Sequence, residues 1–393
     1  LPGVAEMSKK SNALPLNLLP LFKIKSLNSV LKLSVSPTLT LKRLSTICNR
    51  LWDCIGTAKY RWDFPHVKRP AYGAILVFFT VSQAFSAPQV DQNRLVLAAE
   101  GGKQVAITNS QGKVLWKRKI RQVHDLHMLD NGHILVNDGW PHIVELDLLK
   151  NVVWSYDSST QNGNSGKKVE VHAFQRLTDG VTLIAESGPC RLIEVDQEGK
   201  LLKEIPLQVA EPHPHTDTRL VRKLENGDYL VCHEGTQVVK RYNSEGEVIW
   251  EFPIPLFGKE PAKGHGPEAW GGKTFGAIVA KNGNYLITTG NGHGVLEVTP
   301  EKEIVWRLAQ NDIPGVTLAW VTTIQEQPNG NLIIGNCHAG PDNPQIVEIT
   351  RDKEVVWSWK NFEEFGNALS NSLVIDGDRA IEIRKALEEL PGS

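Results

Sequence analysis

Histidines dominate the chemistry this sequence can offer, and they stand at recurring positions. His124 and His172 each lie seven residues ahead of a turn, Asn131-Gly132 and Asp179-Gly180. Arg219, Phe275 and Thr322 fill the same slot before Asn226-Gly227, Asn282-Gly283 and Asn329-Gly330. His213, His215 and His265 fall in long connections, and His142, His233, His293 and His338 at or near shorter ones. Imidazole titrates near neutrality, and its nitrogens can shuttle a proton or bind a metal. A guanidinium among them can hold sulfate or carboxylate and stabilise negative charge as it develops. His172, His215 and Arg219 are therefore the candidate catalytic residues, with His as acceptor or general base and Arg as charge stabiliser. Rim positions carry little core packing, so replacing His172 and His215 should cost binding rather than stability.

Other groups extend this set as candidate ligand-binding residues. They are His124, His233, His293 and His338, with Glu186, Arg191 and Arg222 for charge, joined by Asp217 and Glu234. Trp140, Trp270 and Trp320 can wall the site, and Asn291 and Asn336 lie in glycine-rich connections that let backbone approach a ligand. A His/Glu/Asp mixture can hold a divalent metal, and a His/Arg mixture an anion. No HExxH, GxSxG, P-loop or GxGxxG stands in a strand–helix context, so no known hydrolase or nucleotide motif fixes the reaction. Loops are rich in His for ordinary reasons, and the large aromatics at blade ends read as core.

These residues are positioned by a module that recurs five times between His124 and Trp357. Each copy runs through an inner strand, an Asn-Gly or Asp-Gly turn read as a two-residue type I′ hairpin, two further apolar strands, and an outer strand that usually ends in Trp. The turns are spaced 48, 47, 56 and 47 residues apart. That period with four short strands per unit predicts an all-β fold, a β-propeller. An incomplete unit, 94–120, lacks its inner strand, and 366–375 supplies a spare one. The expected ring is therefore six-bladed and closed by a C-terminal strand, which removes open edges. Trp116, Trp154, Trp250, Trp306 and Trp357 should pack between blades, the third blade having Leu202–Ile205 instead.

In such a ring the inner and outer hairpin turns share one face, and the remaining connections share the other. The second face is elaborated by the long segments 155–171, 206–214, 252–274 and 309–321, and nine of the eleven histidines after residue 86 fall there. Function concentrates on long loops carried by a rigid ring.

Residues 1–86 hold 12 Lys/Arg against 3 Asp/Glu, which leaves 31 against 41 in the rest. The acidic body offers no basic stripe, so nucleic acid is excluded as a partner. Residues 1–65 read as a disordered extension or as sequence upstream of the real start. Residues 66–86 read as a signal peptide, with Lys68-Arg69, an apolar run 71–81 and Ala84-Phe85-Ser86 as the cleavage site. This predicts an exported protein, periplasmic or extracellular, with no integral membrane span after cleavage. The propeller then covers 87–376, and 377–393 form a terminal strand or helix outside the ring. Cys190, Cys232 and Cys337 form no CxxC pair, so the core must hold the fold.

The segments Asn109-Ser110-Gln111-Gly112-Lys113-Val114-Leu115-Trp116 and Asn243-Ser244-Glu245-Gly246-Glu247-Val248-Ile249-Trp250 resemble the docking motif of PQQ-like β-propeller repeat proteins. In quinoprotein dehydrogenases of that kind the resemblance implies eight blades and often a vicinal disulfide over the cofactor. This chain has neither, which speaks against bound PQQ. The six-bladed count is more similar to arylsulfotransferase propellers, where the resemblance implies a central His that carries a sulfuryl group among further His and Arg. The expected function is a His/Arg/Trp-lined site on the long-loop face for a small molecule, with sulfuryl-transfer-like or metal-assisted chemistry. The competing readings are a scaffold that grips a protein or glycan there and, last, a quinoprotein dehydrogenase.

Overall fold

Consecutive apolar runs broken by glycine turns fold back on one another as antiparallel sheets. A computed structural model describes residues 90–391, so segments 1–65 and 66–86 lie outside the described residues. Six four-stranded antiparallel sheets form a β-propeller. Blade 2 spans 126–157, blade 3 170–206, blade 4 221–253, blade 5 277–308 and blade 6 320–359. Blade 1 takes its three outer strands from 95–119 and its inner strand, Leu369–Ile375, from the other end of the chain. The closing strand pairs antiparallel with Leu95–Glu100, from Leu95 opposite Ile375 to Glu100 opposite Leu369. Arg94 fastens the closure by ion pairs to Glu348 of blade 6 at 2.6 Å and to Asp376 at 2.8 Å.

The core is a set of apolar layers between blades rather than one central mass. Each of six clusters joins adjacent blades, for example Leu135, Ile143 and Tyr156 of blade 2 against Val171, Phe174 and Ile184 of blade 3. Strands covered on both faces read as continuous apolar runs, such as Leu95–Glu100. Outer strands, covered on one face, alternate, as in Val152–Asp157. The predicted tail is a helix, Gly377–Glu388, which lays Ala380, Ile383 and Leu387 on the layer between blades 1 and 2.

The blade-end tryptophans work as latches. Each indole N–H donates to a carbonyl in the next blade: Trp116 to Leu148 at 2.8 Å, Trp154 to Gln197 at 2.8 Å, Trp250 to Pro300 at 2.9 Å, Trp306 to Arg351 at 2.9 Å and Trp357 to Ser110 at 3.2 Å. The seam from blade 3 to blade 4 has no such latch. There Glu194 accepts from Tyr229 Oη and pairs with Lys223, both at 2.6 Å.

The inner hairpins correct the type I′ expectation. Leu129 N–H bonds to His133 O and Gly132 N–H to Leu129 O, so the loop has three residues, and only the glycine takes positive φ, at 86°. The Asn131 side chain explains the choice: its Oδ1 accepts the His133 N–H at 3.0 Å, which holds Asn131 itself in an ordinary turn conformation. The bond recurs at Asp179, Asn226, Asn282 and Asn329.

Candidate functional site

The inner strand Glu170–Arg176 begins at the long-loop end of blade 3. Val171 pairs with Glu186 and Ala173 with Ala185, so His172 is the extra residue of a β-bulge. A bulge re-aims a side chain, and here it brings His172 and Glu170 into contact. His124 is set by Asn137, whose Oδ1 accepts the N–H groups of His124 and Asp125, both at 3.1 Å. His215 and Arg219 come from the loop entering blade 4, where Asp217 Oδ1 takes the His213 N–H at 2.6 Å.

Glu170 Oε2 lies 3.1 Å from His172 Nε2 and 2.6 Å from His215 Nδ1. Arg219 donates to His172 Nδ1 and to the His215 carbonyl, and pairs with Glu234, which Lys273 reaches at 3.2 Å. A guanidinium only donates. His172 Nδ1 must therefore be the acceptor, and its proton sits on Nε2, facing Glu170. The same carboxylate takes the Nδ1–H of His215. That leaves His215 Nε2 as the free nitrogen, on a side chain that is 43 % exposed.

His124 closes the group, its ring centre 4.6 Å from that of His172 and 5.9 Å from that of His215. Trp140 lies 4.8 to 5.5 Å from all three. His124 Nδ1 is buried without a hydrogen-bond partner among the described residues. Burial pushes His172 well below the ordinary imidazole value, helped by the charge of Arg219 and by the neighbouring His215. Burial does the same to His124, helped by His172, Arg219 and His215. Both are neutral near pH 7. A carboxylate that fixes one tautomer of an imidazole and leaves Nε2 free is the arrangement of a general base.

Glu170, His172 and His215 also bring ligand atoms within 4.8 Å of one another, as a metal would require. The tautomer opposes this: Nε2 of His172 carries a proton as long as Arg219 donates to Nδ1. As found, the donor set suits proton transfer better than coordination.

The remaining candidates sort by partner. Arg191 is tied to Glu186 at 2.7 Å, to Glu204 at 2.9 Å and to Asn162 O at 2.8 Å, so Arg191 and Glu186 staple the loop leading into blade 3. Arg222 pairs bidentately with Asp125 of blade 2, at 2.8 and 2.9 Å. His233 spends its nitrogens on Asp217 O and Tyr242 Oη, and His293 on the carbonyls of Ala319 and Ala269. Asn291 accepts the Lys273 N–H, and Asn336 accepts the Ala319 N–H. Trp270 packs on His293, while Trp320 and His338 gather with His265 over blades 5 and 6. Of the two rim histidines expected to carry little packing, His215 is half-exposed and His172 is 0 % exposed; the bulge turns the His172 ring into the protein.

Glu170 and Lys273 escaped the sequence reading. Glu170 stands two residues before His172, the spacing of one strand face, and that signal was there to use. Lys273 carried none. At the other end of the ring lies a cavity of about 710 Å³ between blades 2 and 3. Glu145 there holds His133 and Arg176, each at 2.8 Å, and Trp154 is a latch.

Residues 61–227 match the sequence family PQQ_2, described as outer membrane protein assembly factor BamB. No curated protein matches the chain. Among solved structures, a protein of unknown function from Bacteroides caccae is similar at 23 % identity and TM-score 0.60, over 73 % of this chain and 100 % of that one. A streptogramin B lyase is similar at 14 % identity and TM-score 0.46, over 70 % of this chain and 85 % of that one. Virginiamycin B lyase from Staphylococcus aureus gives 14 % and 0.46, over 68 % and 80 %. The likeness to the Bacteroides caccae protein concerns the fold alone. No helix among the described residues is long and apolar enough to cross a membrane.

Proposed function

We propose that this six-bladed propeller of PQQ-like repeats is an exported protein that binds a small molecule at the long-loop end of blades 2 to 4 and transforms it with His215 as the proton acceptor. The observation that carries the reading is Glu170 Oε2 at 2.6 Å from His215 Nδ1, which leaves Nε2 free and partly exposed. Trp140 and His124 supply an apolar wall against it. Arg219 is held by Glu234 and serves inside the site, where its charge steadies the neutral His172 and stabilises negative charge on the ligand. Lys273, 42 % exposed, is the cation that can reach toward an anionic group.

A metal at Glu170, His172 and His215 is the second reading, favoured by the closeness of their ligand atoms. It requires the His172 proton to move to Nδ1 and Arg219 to withdraw.

The test uses diethyl pyrocarbonate, which acylates unprotonated imidazole nitrogen, with each histidine followed by mass spectrometry. His215 should react faster than exposed His213, and Glu170→Gln should slow His215 several-fold without slowing His213. A panel of sulfate, phosphate and carboxylate esters then seeks turnover that His215→Ala removes. Equal reactivity of His215 and His213, unchanged in Glu170→Gln, would refute the dyad.

A further inference from the structure

A second histidine pair lies over blades 5 and 6, apart from the Glu170 cluster. His265 sits at the tip of a hairpin closed by the Ala262–Trp270 bridge, and its ring stacks on Trp320 with centres 4.9 Å apart and planes 26° apart. His338 comes from the connection between the middle strands of blade 6. It holds a left-handed backbone, φ 60°, uncommon outside glycine, and its N–H is fixed to Asn367 O at 2.9 Å. The two rings stand 5.2 Å apart. Two imidazoles bound to one tetrahedral zinc, at Zn–N of about 2.0–2.1 Å, hold their centres about 5 Å apart.

Glu268 belongs to the same tip. Its carboxylate folds against the turn beneath His265, so closely that a Cβ at Gly264 would lie 2.6 Å from Oε1 and one at Gly266 2.4 Å from Oε2. Glycine on both sides of His265 makes room for the acid. The carboxylate also acts electrostatically on His338.

The contrast with the first cluster is in how the nitrogens are used. His172 is bonded at both nitrogens, and His215 at one. Among the described residues, no ring nitrogen of His265 or His338 and no oxygen of Glu268 has a hydrogen-bond partner. Lys273 lies over Trp320 at 5.8 Å and is paired with Glu234.

We propose that His265 and His338, completed by rotation of the Glu268 side chain, bind a borderline transition-metal ion of the Zn²⁺, Ni²⁺ or Cu²⁺ class. Imidazole nitrogen with a single carboxylate suits that class and not Mg²⁺ or Ca²⁺, which want oxygen. The site anchors the 261–271 hairpin to blade 6 and leaves coordination positions open to solvent.

The experiment is titration of the full chain with Zn²⁺ by calorimetry, and with Cu²⁺ by electron paramagnetic resonance. One equivalent should bind, with hyperfine structure from two imidazole nitrogens. His265→Ala should weaken binding at least tenfold, and Glu268→Gln less. His338→Asn, which tolerates the left-handed backbone, should weaken it as His265→Ala does. His172→Ala should leave it unchanged. Absence of binding, or binding indifferent to His265→Ala, overturns the proposal. Binding lost in His172→Ala but kept in His265→Ala overturns it too, and moves the metal to the Glu170 cluster; the reactivity test of His215 stands apart from both results.

Discussion

Acidification should weaken the fold through histidines that are buried neutral, and His233 gives the clearest case. It is 1 % exposed, with Nδ1 2.7 Å from Asp217 O and Nε2 3.0 Å from Tyr242 Oη. The carbonyl takes the Nδ1–H and the tyrosine hydroxyl donates to Nε2, so the neutral ring is fully satisfied. Burial lowers it from 6.5 to about 4, with Lys240 adding to the effect and Asp217 opposing it. Between those values the unfolded chain binds a proton that the folded chain refuses, so stability falls as pH falls through 6.5 and levels off near 4. At about 1.4 kcal/mol per pH unit, this one residue removes about 3 kcal/mol across the window. His124 and His172 act in the same direction. The assay is urea unfolding followed by tryptophan fluorescence at several pH values from 7.5 to 4.5, for the wild type and His233→Gln. Glutamine keeps an N–H for Asp217 and an acceptor for Tyr242 but cannot titrate. The two curves should run parallel above pH 6.5 and diverge below it, the variant losing about 3 kcal/mol less. Parallel curves down to pH 4.5 would refute the argument, because effects on every other group cancel in the comparison.

Two further outcomes follow from the ring. Trp250→Phe keeps an aromatic ring against Tyr285 but loses the N–H to Pro300 O, and should cost about 1 kcal/mol in chemical denaturation, against about 3–5 kcal/mol for Trp250→Ala. Gly290→Ala should destabilise far more than Gly132→Ala in thermal melts. Both have positive φ, but a Cβ at Gly290 would meet Lys273 O at 1.8 Å, whereas nothing lies within 4 Å at Gly132, where only the backbone cost of about 1 kcal/mol applies.

The ring was legible because its signals repeat. Five turns at a near-constant period and a Trp at the end of most units report one supersecondary structure several times over. The unmatched inner strand at 366–375 had one place to go. Turn geometry was not legible, because Asn-Gly serves both a two-residue hairpin and the three-residue form in which an Asn side chain caps its own turn. Within the site, His124, His172, His215 and Arg219 do meet, since inner strands converge on one axis and slot positions map to one rim. His233 and His293 occupy the same rim in sequence, yet their rings turn inward to carbonyls. Which way a ring turns depends on partners distant in the chain, such as Ala269 and Ala319 for His293, and no local pattern carries that information. Lys273 joins the site only through Glu234, a contact made in three dimensions.

The missing latch between blades 3 and 4 falls where the proposed chemistry lies. Glu170 and His172 stand on one bank of that seam, and His215 and Arg219 on the other. A ring with five indole-latched joints, and a sixth tied instead through Glu194 to Tyr229 and Lys223, concentrates its compliance in the sixth. Thermal breathing of the ring is then felt as a changing gap between Glu170 and His215, while Glu170 and His172, carried on one strand, move together. The amides of residues 201–205 should exchange with solvent ahead of those in the other outer strands. The hinge of this otherwise stiff wheel, and with it the adjustable element of its dyad, is the one blade end where leucine and isoleucine replace tryptophan.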